Sequence, residues 1–391
     1  MTRANVIYLD YGEDSRFHRL RLEGISRFAR TRGWKVIPLP PQKSRPCDIA
    51  GIISAFNPLG FLVERTRLDE RIPARFFKRM PVVIIDPQDN DGPSRAPCIT
   101  CDNAAVARAA FAELSKNLPP VYAAVPYRRR RIWSRVRIAE FSSLCAESGK
   151  KCIVFPFRPG ESSEARFSRL KLWANTLPPH CAIFAVNDYT AWLTASALHA
   201  CGRNIPRSAT LIGVDGFDRL FDGSDSWISS VKLDFERTGF IAARMLAEQI
   251  SARAAGLPPP CAARTELFGP LLVQRRESTR GSGRRDQRVI DAVSMIRREA
   301  ASGLTARELA ARFDCSRNLF ERRFREAMGR SVLDEIINVR METARSLLSR
   351  RDFPIGAVAA FCGFRSDRAL QKLFKERTGL SLRDWRKANL L

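Results

Sequence analysis

The sequence predicts an α/β domain over residues 1–276 and an all-α domain over residues 288–391. In the first part, short apolar runs alternate with longer amphipathic segments. A segment rich in Arg, Gly and Ser then follows, and beyond it apolar residues recur only at helical spacing. We therefore place an exposed linker at 277–287, between the two domains.

The short apolar runs are rich in branched residues and have the length of buried strands. They lie at 5–9, 35–39, 49–54, 82–86, 121–125, 151–155, 182–186 and 210–214. Helical periodicity appears at 16–32, 103–117, 133–148, 167–175, 189–201 and 235–254. Repeated β-α-β units explain this alternation, and periodicity leaves open a closed barrel or two doubly wound lobes.

The all-α domain contains the same sequence pattern twice. Leu304–Phe324 and Phe353–Phe374 each predict a helix, a short turn, a serine N-cap and a second helix. Ser316 and Ser366 are the N-caps, and Gly363 can supply the positive φ of a turn. Both segments are therefore helix-turn-helix candidates, in which the second helix enters the major groove of DNA.

The second helix of each unit has a polar face suited to bases and phosphates. These faces carry Arg317, Asn318, Glu321, Arg322 and Arg325 in the first unit and Asp367, Arg368, Gln371, Lys372 and Lys375 in the second. A basic helix face can also be merely solvated, but two matched units separated by a long helix favour DNA. The formal net charge of +25 agrees with a polyanionic partner without choosing nucleic acid over an anionic membrane.

Residues Arg288 to Arg386 resemble the AraC-type DNA-binding domain. The block Gly363–Lys375, then Thr378-Gly379 and Trp385-Arg386, carries the resemblance, with Trp385 in place of the more usual Phe or Tyr. The resemblance implies contacts with double-stranded DNA from Asn318, Glu321, Arg322, Asp367, Arg368 and Lys372. It also implies that helix Ser331–Leu348 holds the two units roughly 34 Å apart, on successive major grooves.

Acidic residues follow two of the predicted strands. Asp188 comes after 182–186 and Asp215 after 210–214. Ligands of open α/β sheets bind outside the carboxyl ends of the strands, so these aspartates are placed to accept hydrogen bonds from sugar hydroxyls. The blocks Ala182–Trp192 and Leu211–Asp218 resemble the LacI-type sugar-receptor domain, which is itself like periplasmic binding proteins. This resemblance selects two lobes over a barrel.

The LacI-type resemblance implies effector contacts at Arg137, Asn187, Asp188 and Asp215, with Phe17 and Trp227 as stacking or apolar walls. An arginine fork can grip vicinal hydroxyls. As alternatives, Arg137 is a solvated helix residue, and the two aromatic residues belong to the core. Arg128 to Arg131, four consecutive arginines, depart from the family pattern. They form a solvated loop or, if they face the cleft, point to a phosphorylated or acidic effector.

A LacI-type sensor followed by an AraC-type domain resembles the architecture of xylose operon regulators. This implies a cytoplasmic, homodimeric transcription activator that binds D-xylose between its lobes and contacts RNA polymerase. Another pentose, a phosphorylated or acidic sugar, and repression remain alternatives.

The sequence offers no set of catalytic groups. It contains three histidines and no G-x-S-x-G, P-loop or H-E-x-x-H motif, so we expect no enzymatic activity and no cofactor. The ten cysteines are scattered, which predicts reduced thiols, and the C-x-x-C spacing of Cys98 and Cys101 has no second pair to form a metal site. No apolar stretch approaches the length of a membrane span or a signal peptide.

Overall fold

The computed structural model describes residues 4–9, 15–39, 49–64, 80–87, 96–128, 131–218, 226–257, 264–279, 283–313, 315–350 and 352–389. The chain divides into two compact units. Unit 1 comprises Met1–Thr100, Phe235–Phe268 and Ile290–Leu391, and unit 2 comprises Cys101–Asp234 and Gly269–Val289. Unit 1 therefore holds one α/β lobe together with the helical region 290–391, and unit 2 holds the other lobe.

The sheet of unit 1 is doubly wound. Its described strands are β1 (Asn5–Leu9), β2 (Lys35–Leu39), β3 (Phe61–Glu64), β4 (Val82–Ile85), β5 (Cys98–Cys101) and β11 (Thr265–Phe268), in the order β11-β5-β4-β3-β1-β2. β1 pairs in parallel with both β2 and β3, and β3, β4 and β5 continue the parallel sheet. Fully buried apolar residues such as Ile7 fill the strands, as expected when helices cover both faces of a sheet.

The described helices of this lobe are α1 (Ser15–Arg32), α2 (Ile49–Phe56) and α7 (Phe235–Ala254). α1 and α7 touch backbone to backbone. A Cβ at Gly24 would lie 1.8 Å from the carbonyl oxygen of Glu236, and one at Gly239 would lie 1.9 Å from that of Arg21. Only glycine lacks the atom that would collide, so these two positions fix the close approach of the helices.

Unit 2 has the same topology. Its described strands are β6 (Tyr122–Val125), β7 (Cys152–Val154), β8 (Cys181–Ala185), β9 (Ala209–Val214), β10 (Ser229–Leu233) and β12 (Pro270–Gln274), in the order β12-β10-β9-β8-β6-β7. The pairs are parallel except for β12, which runs antiparallel to β10. Because β7 and β8 lie on opposite sides of β6, the strand order reverses between β6 and β8, and such switch points are where open α/β sheets bind ligands.

Three of the four described helices of unit 2 begin at side-chain caps next to this edge. The four are α3 (Asn103–Ser115), α4 (Ile132–Glu147), α5 (Ser163–Thr176) and α6 (Asp188–Ala200). Asp102, Ser162 and Asn187 are the N-caps of α3, α5 and α6, and each accepts a hydrogen bond from a backbone N–H in the first turn.

The helical region contains α8 (Gly283–Glu299), α9 (Ala306–Ala311), α10 (Arg317–Met328), α11 (Val332–Leu348), α12 (Val358–Phe361), α13 (Asp367–Thr378) and α14 (Leu382–Asn389). Ser316 and Ser366 cap α10 and α13 as predicted. Gly363 has φ +74°, also as predicted, and a Cβ there would lie 2.5 Å from the carbonyl oxygen of Ala300. This glycine therefore sets the turn and lets it pack closely on the chain before α9.

The two-sheet α/β fold with a helical region confirms the predicted fold class, but one predicted strand is wrong. Residues 49–54 form part of helix α2, in which Ile52, Ile53 and Phe56 pack on the core while Ser54 and Ala55 are exposed. That spacing is helical, and a short apolar run does not reveal it.

The predicted linker at 277–287 differs from the structure at both ends. Ser278 is fully buried in unit 2, where it accepts a hydrogen bond from Ser229 N and donates one to the carbonyl of Leu211. Helix α8 already begins at Gly283. Among the described residues, no helix is both long enough and apolar enough to span a bilayer.

Candidate effector site and nucleic-acid interface

Arg137 lies at the switch point of unit 2. It projects from α4, is 4% exposed, and donates through Nη1 to the carbonyl oxygen of Val186 at 2.7 Å, directly after β8. Its Nε donates to Asn103 Oδ1 at 2.9 Å, and its guanidinium carbon lies 5.0 Å from the ring centre of Trp133. The alternative of a solvated helix residue is therefore wrong, since this cation is buried and held at the carboxyl edge of the sheet.

Asp188 is buried beneath the same edge and organises the loop after β9. Its carboxylate accepts hydrogen bonds from Phe217 N at 2.7 Å and Ser230 Oγ at 2.7 Å. Burial raises the pKa of Asp188 to about 6, although these hydrogen bonds oppose the shift. Gly213 must be glycine here, because a Cβ would lie 2.2 Å from Asp188 Oδ1. Sequence patterns did not identify Ser230, whose hydroxyl donates to Asp188 Oδ1 in this network.

Asn187 and Asp215 flank that buried carboxylate. The side-chain oxygen of Asn187 accepts from Thr190 N at 2.9 Å, which leaves its amide N–H₂ group as the donor at the edge. Asp215 has φ +109°, an uncommon conformation for a residue other than glycine, and its backbone N–H donates to Val231 O. Such outliers cluster at ligand sites, and the Asp188 hydrogen bonds hold this one in place.

Trp227 and Phe17, the two predicted aromatic walls, pack against other apolar or aromatic side chains. Trp227 packs against the apolar core of unit 2, with its ring centre 5.6 Å from that of His199. Phe17 belongs to unit 1, where its ring centre lies 4.2 Å from that of Phe235. Both contacts agree with packing roles.

The first DNA-reading helix, α10, exposes its predicted polar face. Phe320 and Phe324 are buried, whereas Arg317, Asn318 and Arg322 are exposed. Glu321 is only half-exposed: its carboxylate accepts from Val332 N at 3.3 Å, and it lies 3.7 Å from Arg325 Nη2. Glu321 therefore links α10 to the start of α11.

The second DNA-reading helix, α13, is built in the same way. Leu370 and Phe374 are fully buried, and Asp367, Arg368 and Lys372 are exposed. Trp385, on α14, packs its ring edge-on against Phe374, with ring centres 5.8 Å apart. The bulkier ring at this position thus packs on the core of the second helix-turn-helix unit.

None of the described cysteines forms a disulfide, and no group of His, Cys, Asp and Glu side chains within the described ranges could hold a metal ion. Burial raises the pKa of Cys181 to about 11 and of Cys362 to about 12, as for apolar core thiols. Cys47, Cys261, Arg129 and Arg130 lie outside the described residues.

Two domain families match the chain. Residues 121–279 match the periplasmic binding protein-like domain, and residues 309–388 match a helix-turn-helix domain. The chain is 26% identical over 295 residues to the xylose operon regulatory protein of Escherichia coli (strain K12), with 74% of each chain covered. It is 25% identical over 218 residues to the protein of the same name from Haemophilus influenzae, covering 56% of this chain and 55% of that one.

Solved structures show the same fold. A xylose-binding transcription activator aligns over 100% of this chain and 99% of its own, with a TM-score of 0.58 and 22% identity. A transcriptional regulator in complex with cellobiose covers 71% of this chain and 85% of its own, with a TM-score of 0.53 and 16% identity.

These findings define the class of protein: a DNA-binding transcription regulator that joins a periplasmic binding protein-like domain to a helix-turn-helix domain of the AraC type. Within that class, the chain is similar over 74% of its length to a xylose operon regulatory protein.

Proposed function

We propose that this regulator responds to a sugar held at the carboxyl edge of unit 2, with Arg137, Asn187 and Asp215 as the hydrogen-bonding groups. The observation that carries this proposal is the arrangement of these groups around the β6/β8 switch point, where α/β sheets bind their ligands. Asp188 is a positioning residue in this scheme, because its oxygens are already bonded to the loop that bears Asp215.

D-xylose is the first candidate effector, since the similar proteins are named for the xylose operon. Another pentose or an acidic or phosphorylated sugar is the alternative. We expect the effector to activate transcription through a homodimer in the cytoplasm that contacts RNA polymerase, with repression as the alternative outcome. The DNA contacts are Arg317, Asn318, Glu321, Arg322, Asp367, Arg368 and Lys372.

The test measures binding of the full chain to the DNA upstream of its own gene, with and without each of a set of pentoses. DNA affinity should fall steeply with salt, because cationic side chains displace counterions from phosphates. An effector should change that affinity and raise the melting temperature of the protein. If no sugar changes either quantity, the sensing role is refuted, and a DNA affinity independent of salt would refute the proposed phosphate contacts.

A further inference from the structure

A second buried arginine lies at the same switch point and has no ion-pair partner among the residues that the structure describes. Arg166, on the first turn of α5, is 5% exposed, and its Nη2 donates to the carbonyl oxygen of Pro126 at 2.6 Å. Its guanidinium carbon lies 5.0 Å from the ring centre of Phe155. Within the described part of the chain, no carboxylate lies within ion-pair distance of Arg166.

The two buried guanidinium groups lie at one level of the sheet. Val125 of β6 is in register with Ala185 of β8, so the carbonyls of Pro126 and Val186 come one residue after paired positions. Arg166 binds the first of these carbonyls and Arg137 the second. Two desolvated guanidinium groups, from α4 and α5, thus bind the backbone just after the neighbouring strands β8 and β6.

Glu161, the carboxylate that acts on Arg166, is already paired with another arginine. Glu161 accepts from Arg169 through both carboxylate oxygens, at 2.7 and 2.8 Å. Burial lowers the pKa of Arg166; Glu161 partly opposes this, and the Arg169 and Arg128 guanidinium groups lower the pKa further. Two guanidinium groups and one carboxylate, the latter shared with Arg169, thus act on Arg166 together with the Tyr189 phenol.

Unit 1 shows how this chain otherwise buries an arginine. Arg21 lies 2.8 Å from Glu64 and pairs also with Asp86, so two carboxylates compensate its charge. Buried charges in proteins are normally paired, because taking an isolated ion out of water costs several kcal/mol. Arg166 departs from that pattern at the place where the fold binds ligands.

We propose that Arg166 and the exposed Arg128 form an anion subsite at the end of β6, which binds the carboxylate or phosphate of an acidic sugar effector. This inference rests on the proposed function, since it assumes that the sugar lies at the switch point. The bound oxyanion completes the pairing of Arg166, and the N–H groups of Arg137 that do not bind Asn103 or Val186 can grip hydroxyls. Arginine suits this task because its planar fork matches carboxylate and phosphate oxygens.

The test compares D-xylose, D-galacturonate and D-ribose 5-phosphate by calorimetry on the full chain, with inorganic phosphate as a fourth probe. At least one anionic sugar should bind about tenfold tighter than D-xylose, and raising the salt should weaken only the anionic sugars. Comparing the affinities for galacturonate and ribose 5-phosphate distinguishes a carboxylate ligand from a phosphate ligand.

Arg166→Gln should weaken the anionic sugar by about 10- to 100-fold, the value of one lost charge-assisted hydrogen bond, and change D-xylose binding less than about twofold. Arg128→Gln should act in the same direction and, being at the surface, keeps the test valid if Arg166→Gln does not fold. Arg203→Gln is the matched control, because Arg203 binds the carbonyls of Ala174, Leu177 and Pro178 at the other end of α5.

Two results overturn the subsite in different ways. If D-xylose binds as tightly as any anionic sugar and neither variant changes its affinity, the subsite is wrong and sugar sensing stands. If no sugar binds while DNA binding persists, sugar sensing fails and the subsite fails with it.

Discussion

Glu236 is one of the residues through which the α/β lobe of unit 1 holds the helical region. Its carboxylate lies 2.8 Å from Arg27 Nε on α1 and 2.5 Å from Arg297 Nη1 on α8, and the three side chains are 9–12% exposed. Replacing Glu236 with Gln removes the charge shared by two buried arginines. Deleting one partner of a buried ion pair costs about 3–5 kcal/mol, and we expect about 3 because glutamine keeps one acceptor oxygen.

Hydrogen exchange of the backbone amides in α8 and α11 measures this loss locally. A loss of about 3 kcal/mol speeds exchange through this opening by roughly 100-fold, while the core strands of unit 2 should be unaffected. Glu140→Gln is the matched control: Glu140 pairs with Arg108 at 2.8 Å, but the two side chains are 30% and 52% exposed, so its loss should cost less than about 1 kcal/mol. Equal exchange in the Glu236→Gln variant and the unmodified protein would show that the pair does not hold the helical region.

Three further predictions use single substitutions. Arg368→Ala should lower DNA affinity without changing the melting temperature, since the side chain is exposed; an unchanged affinity across a salt titration would remove Arg368 from the interface. Phe320→Ala empties a site that is 2% exposed and should cost about 3–5 kcal/mol in urea unfolding; a loss below about 1 would mean that the first helix-turn-helix unit is not packed around this ring. Because the folded state of Asp188 keeps its proton up to a pKa of about 6, above the unfolded value, stability falls as pH rises from about 4 to 6. Asp188→Asn should lack that part of the pH dependence, and matching curves for the two proteins would contradict the assignment.

Long periodic segments were predictable from the sequence because one helix face must meet the core. α1, α3 and α7 begin and end within a residue or two of their predicted bounds. The strands β3, β5, β10 and β11 were not predicted; β5 and β10 are short and polar residues interrupt their apolar runs.

The residue types at the effector site could be predicted from the sequence, but the roles of these residues could be predicted only in part. The positions after β8 and β9 do carry the expected Asn and Asp residues. Sequence spacing does not reveal that the Asp188 oxygens bond to Phe217 and Ser230, since β10 brings Ser230 there from 42 residues away. Arg166 was missed for a similar reason: among the chain's many arginines, only tertiary contacts show which one is buried without a carboxylate.

The position of Glu236 joins these observations into one physical account. The chain passes from unit 2 to unit 1 between Asp234 and Phe235, so Glu236 is the second residue after that crossing. Its neighbour Arg237 pairs with Glu342 of α11 at 2.9 Å, and α11 is the helix that joins the two helix-turn-helix units. These contacts engage α11 rather than α10 or α13, and the polar faces of both DNA-reading helices remain exposed. The lobe of unit 1 therefore holds the helical region without covering the polar faces of α10 and α13. Allosteric coupling requires that an effector favour one arrangement of such contacts over another, and Glu236 and Arg237 lie within three residues of a crossing of the chain from unit 2.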